Sequence, residues 1–170
     1  MSCLNKNYTF DRFVVEHYND FAKAAAISVA SAPAKNYNPL FIYGNTGLGK
    51  THLLHAIGLM METSQSYCRV TYVSTAELTI ELINAIRTNQ MPQFSEKYRS
   101  AVCLLVDYVY DLSEMDRTQE ELFHIFNTLH DSVRQVVIAG NKFPKDIPHL
   151  EERLRSRFQW GLIVEVKPPD

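Results

Sequence analysis

Eight residues, Gly44-Asn45-Thr46-Gly47-Leu48-Gly49-Lys50-Thr51, leave this chain little choice of fold. They fit G-x-x-x-x-G-K-[ST] and stand between the apolar run Leu40-Phe41-Ile42-Tyr43 and a helical pattern that carries Leu53, Leu54 and Ile57. Glycines in such a loop let the backbone turn its N–H groups inward, and the helix that follows adds the positive end of its dipole. The result is a cradle for the β- and γ-phosphates of a nucleotide. Lys50 is expected to neutralise phosphate charge, and Thr51 to hold Mg²⁺ through its hydroxyl. The pattern does not say which nucleotide binds.

The rest of the chain continues the alternation. Runs of β-forming residues at Leu40 to Tyr43, Arg69 to Ser74, Val102 to Val106, Val136 to Ala139 and Leu162 to Val166 predict five strands. Helical patterns lie between them: Asn19 to Ala30 behind an Asn19 N-cap, His52 to Met61, Ala76 to Arg87, Pro92 to Arg99 and Thr118 to His130. Strands that alternate with helices and are apolar on both faces predict a parallel sheet covered on both sides, a three-layer α/β sandwich. With 170 residues, 46% of them hydrophobic and 21% charged, the chain reads as one globular domain, and disorder is excluded as its main state. No repeat, membrane-length apolar run or secretory profile is present, so a soluble, cytoplasmic protein is expected. The cysteines Cys3, Cys68 and Cys103 have no metal-type spacing, and Cys103 reads as a buried thiol. The net charge of -2 removes global basicity as an argument for nucleic-acid binding.

Val102-Cys103-Leu104-Leu105-Val106-Asp107 has the form of a Walker B strand, with Asp107 at the carboxyl end, where parallel α/β sheets place their ligands and where it can hold the Mg²⁺ shell. Efficient P-loop ATPases usually follow this Asp with a second acid that activates water; here Tyr108 follows, and a phenol is a poor base at neutral pH. At most a weak ATPase is expected. Asp111 reads as a solvated loop acid, with a bent loop as the alternative that would let it substitute. His52, His55 and His124 fall on helices with no metal-like grouping and read as ordinary helix-face residues.

In full, Tyr37-Asn38-Pro39-Leu40-Phe41-Ile42-Tyr43 with the loop and Thr51-His52-Leu53-Leu54-His55-Ala56-Ile57-Gly58 resembles the bacterial replication initiators of the DnaA family. Tyr8-Thr9-Phe10-Asp11-Arg12-Phe13-Val14, Tyr98-Arg99-Ser100, Gln119-Glu120-Glu121-Leu122-Phe123-His124 and Glu152-Arg153-Leu154-Arg155-Ser156-Arg157-Phe158 agree with it in order. The resemblance implies an AAA+ core, a P-loop NTPase with sheet order 5-1-4-3-2, ATP or ADP with Mg²⁺ as ligand, and head-to-tail self-assembly on origin DNA. It makes Arg157 the arginine finger that reaches a neighbour's ATP, Arg153 a member of the same interface box, and Asn141 the polar sensor, where the family more often has Asp. On spacing alone Arg157 is a surface residue of a helix rich in both signs, and Asn141 a turn residue. Ile83 and Arg117 match the family's two contacts to single-stranded DNA. A helix over Ala76 to Arg87 places Leu78, Leu82, Ala85 and Ile86 on one face and points Ile83 roughly 115° from its centre, open to a sugar or base.

The chain departs from the family at Glu16-His17-Tyr18, Asn45, Tyr108 and Asn141. It stops at Lys167-Pro168-Pro169-Asp170, where the helical lid would begin. The expectation is therefore an AAA+ core spanning 1–170 without lid or duplex-DNA domain, either a fragment or a truncated paralogue. Two further readings stand beside the initiator: an adaptor or loader relative that regulates an initiator or replicative helicase through protein contacts, and a small P-loop kinase, against which the Arg153/Arg157 box speaks.

Overall fold

The computed structural model describes residues 3–64 and 69–168. Its five strands are all parallel: β1 (Leu40–Tyr43), β2 (Val70–Ser74), β3 (Cys103–Asp107), β4 (Gln135–Gly140) and β5 (Leu162–Glu165). They lie in the order β2-β3-β4-β1-β5, which from the other edge is the expected 5-1-4-3-2. The helices are α1 (Asp20–Ser31), α2 (Lys50–Ser64), α3 (Thr75–Arg87), α4 (Met91–Arg99), α5 (Asp116–Asp131) and α6 (Glu152–Phe158). Two 3₁₀ turns, Val109–Glu114 and Pro144–Asp146, were not visible in the sequence pattern.

Side chains alternate across each strand, so the sheet separates two cores. Leu40, Ile42, Leu105, Val137 and Ala139 face α1 and α2. Phe41, Leu104, Val106, Val136 and Ile138 face the opposite layer, with Leu78, Tyr98, Phe126 and Phe158. The inner strands β3 and β4 are buried at every position, while the edge strands β2 and β5 are covered only in part. Gln135 is fully buried at the start of β4, one residue before the run that predicted the strand. Its side-chain carbonyl accepts from the Ala34 N–H at 2.7 Å and its amide donates to the Tyr37 carbonyl at 2.7 Å. These bonds fasten the segment leading into β1, and with it the entry to the phosphate loop.

Local chemistry sets the helix ends. Ser74 accepts from the Glu77 N–H at 3.1 Å and donates to the Glu77 carboxylate at 3.0 Å, a side-chain N-cap that starts α3 directly from the end of β2. Asn19 precedes α1 as expected but does not cap it with its side chain. That side chain is buried and turned back, accepting from the Glu16 N–H at 2.8 Å and donating to the Val14 carbonyl at 3.0 Å. Ile86 also departs from expectation. The buried row of α3 is Thr75, Leu78, Leu82 and Ala85, and Ile86 stands on its flank, 46% exposed. Cys103 is a buried, reduced thiol in β3, and the expectation for Cys68 falls outside the described residues. Among the described residues no helix is long and apolar enough to cross a membrane.

Two truncations should separate these environments in urea unfolding. Leu105→Ala, at the centre of β3, should lose about 2–5 kcal/mol through lost transfer energy and a cavity. Ile86→Ala should change stability by less than about 0.5 kcal/mol, because little packing is removed from an exposed flank.

Candidate nucleotide site

The loop after β1 is shaped by two left-handed glycines and two close approaches. Gly47 and Gly49 have φ of +86° and +93°, in the left-handed region that glycine enters without steric cost. A Cβ on Gly49 would lie 2.7 Å from the Phe13 ring, and one on Gly44 would collide with the Val166 carbonyl oxygen. The Gly44 N–H bonds the Gly140 carbonyl at 3.2 Å, and Leu53 N–H the Gly49 carbonyl at 3.0 Å, so the loop is fixed to β4 at one end and runs straight into α2 at the other. Lys50 curls over this loop, its Nζ donating to the carbonyls of Gly44 at 2.6 Å and Asn45 at 2.7 Å. Burial lowers the Lys50 pKa, and the Asp107 carboxylate works against that shift.

Thr51 opens α2 and reaches across to the end of β3. Its Oγ1 donates to Asp107 Oδ2 at 2.7 Å. Asp107 is 2% exposed, and a carboxylate so placed needs donors. Besides Thr51 it has the Tyr72 hydroxyl on the same oxygen at 2.7 Å and the Tyr108 N–H on Oδ1 at 2.9 Å. Tyr72 was not foreseen, since nothing in the period of β2 marks an aromatic that will reach a neighbouring strand's acid. Its burial, with the bond to Asp107, pushes the phenol far above its ordinary range.

Lys50, Thr51 and Asp107 face an open cleft of about 600 Å³ at the carboxyl ends of β1, β3 and β4. Thr46, Gly47, Gly49, Lys50 and Thr51 line it from the loop and the start of α2, Asp107, Tyr108 and Asp111 from the end of β3 and the turn after it, and Asn141 from beyond β4. Tyr108 has a φ of 58°, an uncommon conformation for an aromatic residue, and is 52% exposed. The 3₁₀ turn beginning at Val109 brings the exposed Asp111 onto the cleft wall, with its N–H bonded to the Tyr108 carbonyl at 3.0 Å. A bent loop does follow Asp107.

The histidines of α2 are more than helix-face residues. His52 donates from Nε2 to the Thr9 carbonyl at 2.6 Å and stacks on Tyr8 with centroids 5.0 Å apart. His55 is buried and accepts from the Asn5 N–H on Nδ1 at 2.9 Å. Both tether the N-terminal segment across the phosphate-loop helix, and Tyr8 thereby enters the cleft lining. The sequence pattern could not show this, because the partners lie more than 40 residues away. His124 is exposed, and no cluster suited to a metal ion is found among the described residues.

The remaining candidates stand away from the cleft. Arg157 is half-buried on α6, donating from Nε to Asn127 Oδ1 at 2.9 Å, and Arg153 is paired with Glu151. Ile83 on α3 is 48% exposed, and Arg117 is exposed at the start of α5. Thr79 and Thr118, one turn before Ile83 and one residue after Arg117, share a hydrogen bond of 2.8 Å that joins the two helices. Tyr18 of the Glu16-His17-Tyr18 segment accepts from the Lys167 N–H at 3.3 Å, so the chain following β5 runs beside it.

A profile of the bacterial DnaA ATPase domain matches residues 4–165. The chain belongs to the DnaA ATPase-domain family. It is 52% identical over 170 residues to the chromosomal replication initiator protein DnaA of Thermoanaerobacter sp. (strain X514), covering all of this chain and 38% of that relative. Among solved structures it resembles domain III of the Thermotoga maritima replication initiation protein DnaA, with a TM-score of 0.97 and 44% identity over 99% of this chain and 70% of that one. It also resembles a replication initiator DnaA bound to AMPPCP and single-stranded DNA, with a TM-score of 0.95 and 35% identity over 99% of this chain and 52% of that one. The chain thus spans well under half the length of its curated DnaA relative.

Two measurements probe the side chains that support the DnaA-type cleft from behind. Tyr72→Phe removes one donor from a buried carboxylate and should cost about 1.5–3 kcal/mol in urea unfolding. Burial lowers the His55 pKa from its ordinary 6.5, so the unfolded chain binds that proton more readily than the native one. The His55 contribution is therefore fully present above about pH 6.5 and is lost as pH falls toward the depressed native value. His55→Asn keeps an acceptor for the Asn5 N–H without titrating, and should flatten the stability profile over that acidic range.

Proposed function

We propose that the chain is the nucleotide-binding core of a replication initiator that binds ATP with Mg²⁺, assembles head to tail on origin DNA, contacts single-stranded DNA through Ile83 and Arg117, and hydrolyses ATP weakly or not at all. The observation that carries this reading is a division of charge. Lys50, Thr51 and Asp107 converge on one cleft, while Arg157 stands on α6 outside it. A neighbour's Arg157 would complete the γ-phosphate shell in trans, making assembly report on the bound nucleotide. The hydroxyl of Thr51 and the carboxylate of Asp107 are hard oxygen donors of the kind Mg²⁺ takes. Asn141, on the cleft wall, is the sensor in this reading, and Gly44 to Thr51 hold the phosphates.

Support for the DNA-binding part comes from the relative bound to AMPPCP and single-stranded DNA and from the exposed positions of Ile83 and Arg117 on two helices joined by the Thr79–Thr118 hydrogen bond. Support for weak hydrolysis comes from Tyr108 at the position after Asp107, where a base would serve water activation. The core is read as one domain over residues 1–170. Regulators and the replicative helicase are further partners in this reading, and a cytoplasmic location accords with it.

The test is sedimentation of the chain on a poly-dT oligonucleotide with Mg-ATP or Mg-ADP. Larger assemblies are expected with ATP alone, lost in Lys50→Ala while its circular dichroism is retained. Ile83→Ala and Arg117→Ala should each weaken single-strand binding about tenfold, from lost apolar packing against a sugar or base and from lost phosphate contact respectively. Absence of single-strand affinity in the wild type would overturn the initiator reading in favour of the adaptor or loader. Tyr108→Asp places an acid where the left-handed backbone tolerates it and should raise ATP turnover on the order of 10²-fold, read by phosphate release.

A further inference from the structure

We propose that Phe123, Asn127 and Trp160 form a cradle that positions the Arg157 guanidinium for the γ-phosphate held by a second copy of this chain; this rests on the assembly reading above. The sequence alone leaves Arg157 a flexible residue on a short helix. In the structure three groups fix it. Its Cζ lies 3.9 Å from the centroid of the Trp160 ring and 5.1 Å from that of Phe123, both within cation–π range. Its Nε donates to Asn127 Oδ1 at 2.9 Å.

The supports come from two elements. Phe123, Asn127 and His130 recur on α5 at spacings of four and three residues, which sets them on one face of the helix. Trp160 is brought over Arg157 by the turn that ends α6, where its N–H bonds the Arg157 carbonyl at 3.2 Å. It is held there by the His130 ring at 4.8 Å and Phe126 at 5.9 Å. The cradle therefore reads out the packing of α5 against α6.

What the cradle leaves open is as informative as what it holds. Only Nε is engaged; neither terminal nitrogen of Arg157 hydrogen-bonds a described residue, and no described carboxylate pairs with it. Those two nitrogens present the fork that matches two phosphate oxygens. Arg153 differs. It also lies over Phe123, at 4.3 Å, but Glu151 neutralises it. A guanidinium held along one side and unpaired at its tip loses less rotamer freedom when it meets an anion than a freely swinging one. Phe123, Asn127 and Trp160 act through Arg157 and are positioning residues.

Trp160 is the only tryptophan in the chain, so the cradle carries its own reporter. The experiment measures Mg-ATP-dependent assembly on poly-dT by sedimentation, Trp160 emission during assembly, and the melting temperature and Mg-ATP affinity of each unassembled variant. Asn127→Ala and Trp160→Leu should raise the concentration for half-assembly about tenfold with ATP affinity unchanged, and Trp160→Phe, which keeps a π face, should recover most of the loss. Wild-type Trp160 emission should change with ATP and not with ADP, and should stay constant in Arg157→Ala. Normal assembly in Asn127→Ala and Trp160→Leu, beside failed assembly in Arg157→Ala, would overturn the cradle and leave the assembly reading standing. Normal assembly in Arg157→Ala would overturn both. If Trp160→Leu lowers the melting temperature, Asn127→Ala and the wild-type emission decide.

Discussion

The hydrogen bond from Thr51 Oγ1 to Asp107 Oδ2 holds the site together. It crosses from the first turn of α2 to the end of β3, and so from the phosphate loop to the strand that carries the acid. Asp107 is buried, and a buried carboxylate is costly unless donors surround it. Thr51, Tyr72 and the Tyr108 backbone meet that demand. A hydroxyl that donates its proton to a carboxylate turns its lone pairs elsewhere, toward a cation. One contact thus satisfies a buried acid and, under the proposed function, would leave the hydroxyl oriented for Mg²⁺.

The architecture explains why that contact is possible. β1 lies between β4 and β5, yet the chain leaves it through α2 for β2 at the far edge of the sheet. Such a crossover opens a crevice at the carboxyl ends of the strands, and the loop, Asp107 and Asn141 all reach it. The charge that would meet the γ-phosphate from the other side is on α6, on an element that does not line the crevice. Under the proposed function Lys50 would serve its own chain and Arg157 another. In the proposed assembly that separation would make nucleotide occupancy a property of a pair of subunits rather than of one.

Much of this was legible from residues alone. The five strands fall within a residue or two of their β-forming runs, because buried inner strands are apolar on both faces and the partly covered edge strands are still short runs rich in β-formers. Gly44 to Thr51 and Asp107 were marked by spacing and by position at strand ends. What stayed hidden depends on distant partners. Tyr72 matters only because its hydroxyl reaches the acid of an adjacent strand, and His55 only because Asn5 donates to it across 50 residues. Asn19 looks like a cap, but the loop before α1 supplies the Glu16 N–H and the Val14 carbonyl, which claim its side chain. Ile86 is apolar at core spacing and still faces out, since helical period alone does not say how wide a stripe the neighbours cover. The left-handed Tyr108 and the turn behind it have no local signal at all, and they bring Asp111 to the cleft.

The most direct test of the shared Thr51 and Asp107 site is the affinity for fluorescent ATP, measured with and without Mg²⁺ in the wild-type chain and in Asp107→Asn, which keeps the shape of the side chain and removes its charge. Mg²⁺ should tighten binding in the wild type and have little effect in the variant, with comparable affinities for both proteins in metal-free buffer. Equal tightening by Mg²⁺ in both proteins, or none in the wild type, would contradict the role assigned to this pair.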